Sequence, residues 1–417
     1  MAADVTSTFD SVRLLLRNTR QRDALQALEN MDRGSLSPLD LGQYYYWRAL
    51  AKLYLGKYDD SDVKKSMKIL RCLRPRSAYL RAVLLLGMLN NRRGDWAEGR
   101  HIFSKVSRIA SKLGDQENEA VASAQLGWNL AQTGEFSSAY RYFERSITLF
   151  ENMGDHKRRR DAVHNQSHWC IQYGHIQEGL SGYLANPLSR DEIALGTATS
   201  YFVNIAKAYS ILARGEEARD ALSKCYPHFA DDKRTLSVYK RNMGISYLGE
   251  GEFEIAVEYL DEALAIAQGI GCDLVCSCQR LLGECYLELC DLGRAKECAL
   301  ESLSLARDSG ERLEIGASYR VLGSVAGLQG DTKTAVELLS ESMTIFTDMG
   351  SQYELAKTQY FAGHTGLFDS RRQNELIALS TKYFELEGIP LPSRPSDLKI
   401  RLARALLDSG FGLKDSL

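Results

Sequence analysis

A small residue returns along this chain at an almost fixed interval. Gly87, Gly127, Ser167, Ala206, Gly244, Gly283, Gly323 and Gly363 follow one another at spacings of 38 to 40 residues. Six of them stand directly behind a large apolar residue, at Leu86, Leu126, Ile205, Met243, Leu282 and Leu322, while Gln166-Ser167 and Ala362-Gly363 are weaker members. A period kept through so many copies means that each copy packs on its neighbours, and the chain grows as an array instead of around one centre. The length of 417 residues agrees, since single cores stop growing at roughly 250–300.

Each small residue carries further markers at constant offsets. Seven residues on comes a short turn, at Gly94-Asp95-Trp96, Gly134-Glu135-Phe136, Gly174-His175-Ile176, Gly251-Glu252-Phe253 and Gly330-Asp331-Thr332. Twelve on stands a second small residue (Gly99, Ala139, Gly179, Ala218, Ala256, Ala295, Ala335). Four further stands a bulky one (Phe103, Phe143, Tyr183, Leu222, Leu260, Leu339), with Ala299 the exception. Spacings of three and four place such residues on one helical face. The pattern predicts two antiparallel helices per repeat. Their small residues face each other so that the backbones approach, and the bulky residue fills the groove beside them.

This pattern resembles the tetratricopeptide repeat, whose Tyr place is held here by Tyr209, Tyr247 and Tyr286. The period is longer than that family's usual one, and in this it resembles the repeats of kinesin light chain and of the maltose-regulator family of bacterial transcription factors. The resemblance covers residues 8–388. It implies an all-α, right-handed solenoid of about ten helical hairpins, with the first helix of each hairpin lining a concave surface. Two poorer copies at residues 6–31 and 41–72 lead into it, as terminal repeats with one wet face often do. The expected division is residues 1–75 for degenerate hairpins, 76–388 for the main array, and 389–417 for a proline-rich linker and a capping helix. Only seven prolines occur, and Pro38, Pro75, Pro187, Pro227, Pro390, Pro392 and Pro395 all fall at expected helix boundaries. Ser396 is placed to cap the last helix, with Leu398, Leu402, Ala403 and Leu406 on one stripe.

Composition narrows the function. A net charge of −2 offers no basic field for nucleic acid. No signal peptide and no run of roughly 18 apolar residues is present, so a cytoplasmic protein with no membrane partner is expected. There is no P-loop, dinucleotide fingerprint, G-x-S-x-G or H-E-x-x-H, and no enzymatic activity or cofactor is expected. Of nine cysteines, six lie between Cys272 and Cys298. Without a C-x-x-C pair they read as small reduced core residues instead of a metal site. The run His156-Lys157-Arg158-Arg159-Arg160 reads as a solvated face.

The candidate partner surface rests on register. Two positions before the small residue stand Asn165, Asn204 and Asn242, with Gln125 one repeat earlier. Amides both donate and accept, and can hold the backbone of an extended peptide. Three positions before it stand Arg241, Arg280 and Arg320, with His164 at the same register. They predict a strip of positive charge suited to carboxylates, although Glu284 and Glu288 stand near Arg280. His168, four residues after His164, and Trp128, next to Gly127, complete the set. The expected function is protein–protein interaction, the groove taking an extended, partly acidic partner segment. The alternative is a sensory region of a signalling or transcription-regulatory protein, in which a small molecule or partner controls an effector.

Overall fold

The computed structural model describes residues 2–17, 20–74, 76–189, 192–193, 198–224, 226 and 232–408. Among these it is helical throughout, without a strand, and the helices pair as ten hairpins followed by a single last helix. The first four pairs are α1 (Ala2–Arg17) with α2 (Gln21–Glu29), α3 (Pro38–Tyr54) with α4 (Ser61–Leu70), α5 (Arg76–Arg92) with α6 (Trp96–Leu113), and α7 (Gln116–Gln132) with α8 (Phe136–Asn152). The next three are α9 (His156–Tyr173) with α10 (Ile176–Ala185), α11 (Thr199–Ile211) with α12 (Gly215–Ser223), and α13 (Lys233–Glu250) with α14 (Phe253–Ile270). Then follow α15 (Leu274–Glu288) with α16 (Leu292–Ser309), α17 (Arg312–Leu328) with α18 (Thr332–Met349), α19 (Gln352–Gly363) with α20 (Ser370–Glu387), and α21 (Pro395–Asp408). The chain forms two compact units, one of residues 1–166 and 186–197, the other of residues 167–185 and 198–417.

The repeat markers do what their spacing predicts, with one refinement. A Cβ on Gly87 would stand 2.6 Å from Phe103, one on Gly127 2.8 Å from Phe143, one on Gly244 2.7 Å from Leu260, and one on Gly323 2.9 Å from Leu339. The small residue of the first helix thus lies directly under the bulky residue of the second, and both are needed for the two helices to touch. All four bulky residues are fully buried. At Gly283 the partner is Ala299, and the nearest atom to a Cβ there is the Ala295 carbonyl oxygen at 3.3 Å. With no large side chain between them, the backbones close the gap themselves.

The hairpin turns use the left-handed backbone region, with φ of 84° at Gly94 and 82° at Gly251. The same position in two other repeats is held by Ala213 (φ 53°) and Cys290 (φ 62°), where a Cβ costs roughly 1–2 kcal/mol. Aspartates then cap several second helices: Asp95 accepts from the Glu98 amide, Asp291 from Arg294 and Asp331 from Thr334. Pro38 and Pro395 open α3 and α21, while Pro187, Pro390 and Pro392 lie between helices. Pro75 and Pro227 lie outside the described residues, as do the side chains of Leu402, Ala403 and Leu406.

In the second unit the first and last hairpins meet. The Tyr383 hydroxyl of α20 donates to the Gly174 carbonyl in the turn after α9 at 2.7 Å, and the Gln177 side chain donates to the Glu387 carbonyl at 3.0 Å. The stack is therefore closed on itself within that unit.

Gly244→Leu is expected to destabilise the protein by about 3 kcal/mol, the upper end of usual overpacking, because Leu260 cannot leave its buried place. Ala213→Gly is expected to stabilise it by about 1 kcal/mol by relieving the left-handed alanine. Urea denaturation of the two variants beside wild type measures both.

Candidate functional site

The closed stack of the second unit surrounds a cavity of about 410 Å³. Its walls come from the first helices of consecutive repeats. Apolar groups such as Ile171, Ile245, Leu281 and Phe361 alternate with charged ones. The residue just after the small position takes part repeatedly, as Lys207, Ile245, Glu284 and Ser324. Arg280 and Arg320, four residues earlier on their helices than Glu284 and Ser324, also line it, as the i, i+4 relation requires.

Arg280 and Arg320 do not stand as a free positive strip. Glu284, 9% exposed, accepts from Arg320 at 2.7 Å, from Arg280 at 3.0 Å and from Lys357 at 3.0 Å. Arg280 also pairs with Glu314, and Arg320 with Glu354 at 2.7 Å. Burial pushes the Glu284 carboxyl up, but Lys357, Arg320 and Arg280 outweigh it and hold the group well below the usual carboxylate range. Glu288, the other acid expected near Arg280, pairs instead with Arg401 at 3.0 Å. Arg320 is 5% exposed, so reversing its charge would disrupt a buried network instead of a wet surface.

Arg241 and Lys207 differ. Arg241 donates to the Ser277 hydroxyl at 3.0 Å, and its buried Nε has no hydrogen-bond partner among the described residues. Lys207 donates to the Gln172 amide oxygen at 2.7 Å. Burial pulls its pKa down to about 8, with Glu354 opposing and Arg241 and Arg280 reinforcing.

The asparagines do not form a ladder of open amides. Asn242 is buried and donates to the Val238 carbonyl of its own helix at 2.7 Å. Asn204 is half-buried, accepts from His168 Nδ1 at 3.3 Å and donates to the Tyr183 hydroxyl at 2.8 Å. Burial, then Lys207, takes the His168 pKa down to about 4 against the Asn204 bond, so the ring is neutral. Asn165, His164 and Trp128 belong to the first unit and are half-buried. His164 donates to the Asn186 carbonyl at 2.7 Å. Burial lowers its pKa, the Asn186 bond opposing and Arg160 reinforcing. The basic run beside it is paired: Arg158 with Asp155 and Glu117, and Arg160 and Lys157 with Glu192.

Lys207 escaped the register argument because no similar residue shares its place: the corresponding positions hold His168, Ile245, Glu284 and Ser324. The signal available was position alone. The sequence marks the proline-rich stretch as a linker and gives no sign that it lines a cavity. In the structure residues 389–393 line the cavity mouth, held by Arg401 on the Glu288 carbonyl at 2.9 Å and by Leu398, 1% exposed, in a core with Leu339 and Phe361.

A stack of helical hairpins whose first helices line a channel defines the class of helical-repeat scaffolds. The tetratricopeptide-repeat family model matches residues 79–152, 234–308 and 274–348, and the chain is a tetratricopeptide-repeat protein. Among solved structures it is similar to the apo form of the quorum sensor NprR from B. thuringiensis, at 14% identity over 83% of this chain and 98% of that chain, with a TM-score of 0.56. It is likewise similar to NprR in complex with its cognate peptide NprX, at 15% identity over 92% and 99% of the two chains, with a TM-score of 0.50. At these identities the likeness is one of fold. No curated protein matches the sequence. Among the described residues no helix is long and apolar enough to cross a membrane, and no group of three or more His, Cys, Asp or Glu side chains is placed to hold a metal ion.

Glu284→Gln is expected to cost about 3–5 kcal/mol, the usual loss when one partner of a buried ion cluster is removed. The wild-type carboxylate contributes its stability fully above its ordinary pKa of 4.5 and loses it as pH falls through the lower folded value. In a urea-stability profile from pH 7 to pH 3 the gap between wild type and variant should therefore narrow as pH falls below 4.5.

Proposed function

We propose that the chain is a non-enzymatic interaction protein whose second unit binds an extended peptide segment of a partner in its channel. The observation that carries this reading is the channel itself: the first helices of consecutive repeats contribute apolar wall and fixed polar groups in alternation, which suits a chain whose side chains alternate in chemistry. NprR, of the same fold, has been seen with a cognate peptide. In this reading Lys207 contacts the partner, while Arg280, Arg320 and Glu284 hold the walls in place. Asn204 and His168 are positioning residues beside them. The likeness in fold to the quorum sensor NprR supports a second reading, in which peptide binding serves a regulatory role.

Site-specific photocrosslinking tests it. A benzoylphenylalanine at Ile245, in the channel, is expected to crosslink one dominant partner in cells, mapping to a single short segment. The same group at Leu300, on α16 and 49% exposed, is expected not to capture that segment. Capture from Leu300 and not from Ile245 would place the partner on the outer helices and sink the channel reading.

A further inference from the structure

Residues 389–393 stand apart from the rest of the channel wall, which is mostly helix; these five belong to none. Among the described residues, no backbone N–H or C=O of Pro390, Leu391, Pro392 or Ser393 makes a hydrogen bond, and the two prolines have no N–H to offer. Leu391 lines the cavity and is still 48% exposed. The segment is fixed at its ends instead. On one side the Ile389 N–H donates to the Phe384 carbonyl at 2.9 Å, and the Ile389 side chain is buried. On the other, Leu398 of α21 sits in the core with Leu339 and Phe361, and the Cys290 thiol donates to its carbonyl at 3.4 Å. Arg394 reaches the Tyr360 hydroxyl at 3.4 Å. Between these anchors Arg401 clips the segment to the rim. Its guanidinium donates to the Glu288 carbonyl at 2.9 Å, to the Glu288 carboxylate at 3.0 Å and to the Ser393 hydroxyl at 3.0 Å.

The clip also fixes where the segment lies. Glu288 is the last residue of α15, and Ile211 and Glu250, which line the same cavity, end α11 and α13. Residues 389–393 therefore cross the end of the channel at which the first helices finish. A stretch with unpaired backbone and partial exposure is the least stable part of its surroundings, and the first to open. Moving a wall helix instead would break its packing on both neighbours. We propose that residues 390–393 are a strap that gates this end of the channel, lifting off the rim when Arg401 releases Ser393 while Ile389 and Leu398 stay docked. Its two prolines narrow the backbone choices of the segment, so it moves as a short stiff bar. For its purpose the gate rests on the channel reading above: a partner segment entering from this side passes beneath the strap, which then closes over it.

Thiol accessibility inside the channel tests the gate without any partner. In the full chain carrying Ile245→Cys, the introduced thiol is alkylated by a bulky reagent, N-(1-pyrenyl)maleimide, or by a small one, iodoacetamide. Mass spectrometry of the peptide that holds position 245 gives the rate at that site alone. Two further changes loosen the strap in different ways. Arg401→Ala removes the clip. Insertion of two glycines between Pro392 and Ser393 keeps the clip and slackens the strap. Each is expected to speed the bulky reagent about fivefold or more and to leave the small reagent's rate nearly unchanged, since a gate sorts by size. Unchanged bulky-reagent rates in both variants overturn the gate. Equal acceleration of both reagents overturns it as well, because that reports a general loosening. Acceleration by Arg401→Ala without acceleration by the insertion assigns the effect to α21 and also overturns the strap. The two proposals fail separately: the alkylation rates need no partner, and a partner segment can still crosslink at Ile245 in a channel that has no gate.

Discussion

Close approach of two helices inside each hairpin is the condition on which everything else in this molecule rests. It is met by a pairing of opposites, a residue without bulk beneath a residue with a great deal of it: Gly87 under Phe103, Gly127 under Phe143, Gly244 under Leu260 and Gly323 under Leu339. The pair sets the distance between helices. That distance sets the angle at which one hairpin meets the next, and the accumulated angles bring the first helices of the second unit round a common channel. Where the bulky residue is missing, at Ala299, the local contact is backbone on backbone, and the stack continues.

The parts of this fold that could be read from the sequence are those written identically in each copy. Glycine before the second helix, aspartate at several of its starts, and the small–small–bulky triplet all recur, so their physical role could be inferred once and applied throughout. The buried ion network could not be read in this way. It links residues at different registers of different repeats: Glu284 just after the small position, Arg320 three before it, and Glu354 and Lys357 nearer the start of α19. A side chain's register told which face it shares, but not which neighbour would claim it. Arg280 and Arg320 line the channel and yet are neutralised there by Glu284, Glu314 and Glu354. Asn242 shows the complementary limit, since its amide turned inward to its own helix, a local bond always open to asparagine.

Ala213 and Cys290 mark where the repeat tolerates departure from its own rule. Both stand at the left-handed place that glycine fills in neighbouring repeats, and both hairpins form regardless. The strain of one residue is small against the burial of Leu222 under one hairpin or of Tyr286 and Cys285 in the other. The turn is therefore a consequence of helix packing more than its cause.

The junction of Gly174 with Tyr383 and of Gln177 with Glu387 changes how the second unit should come apart. An open repeat array can fray from either end, since each unit answers only to its neighbours. Here the two terminal hairpins of the unit guard each other across some 210 positions of chain, and neither can peel off without breaking the junction. Such a contact closes late in folding, because the long intervening loop must be ordered first. Once closed it converts a row of semi-independent modules into a body that melts as one, and a ligand in the channel would stabilise every hairpin of that body at once.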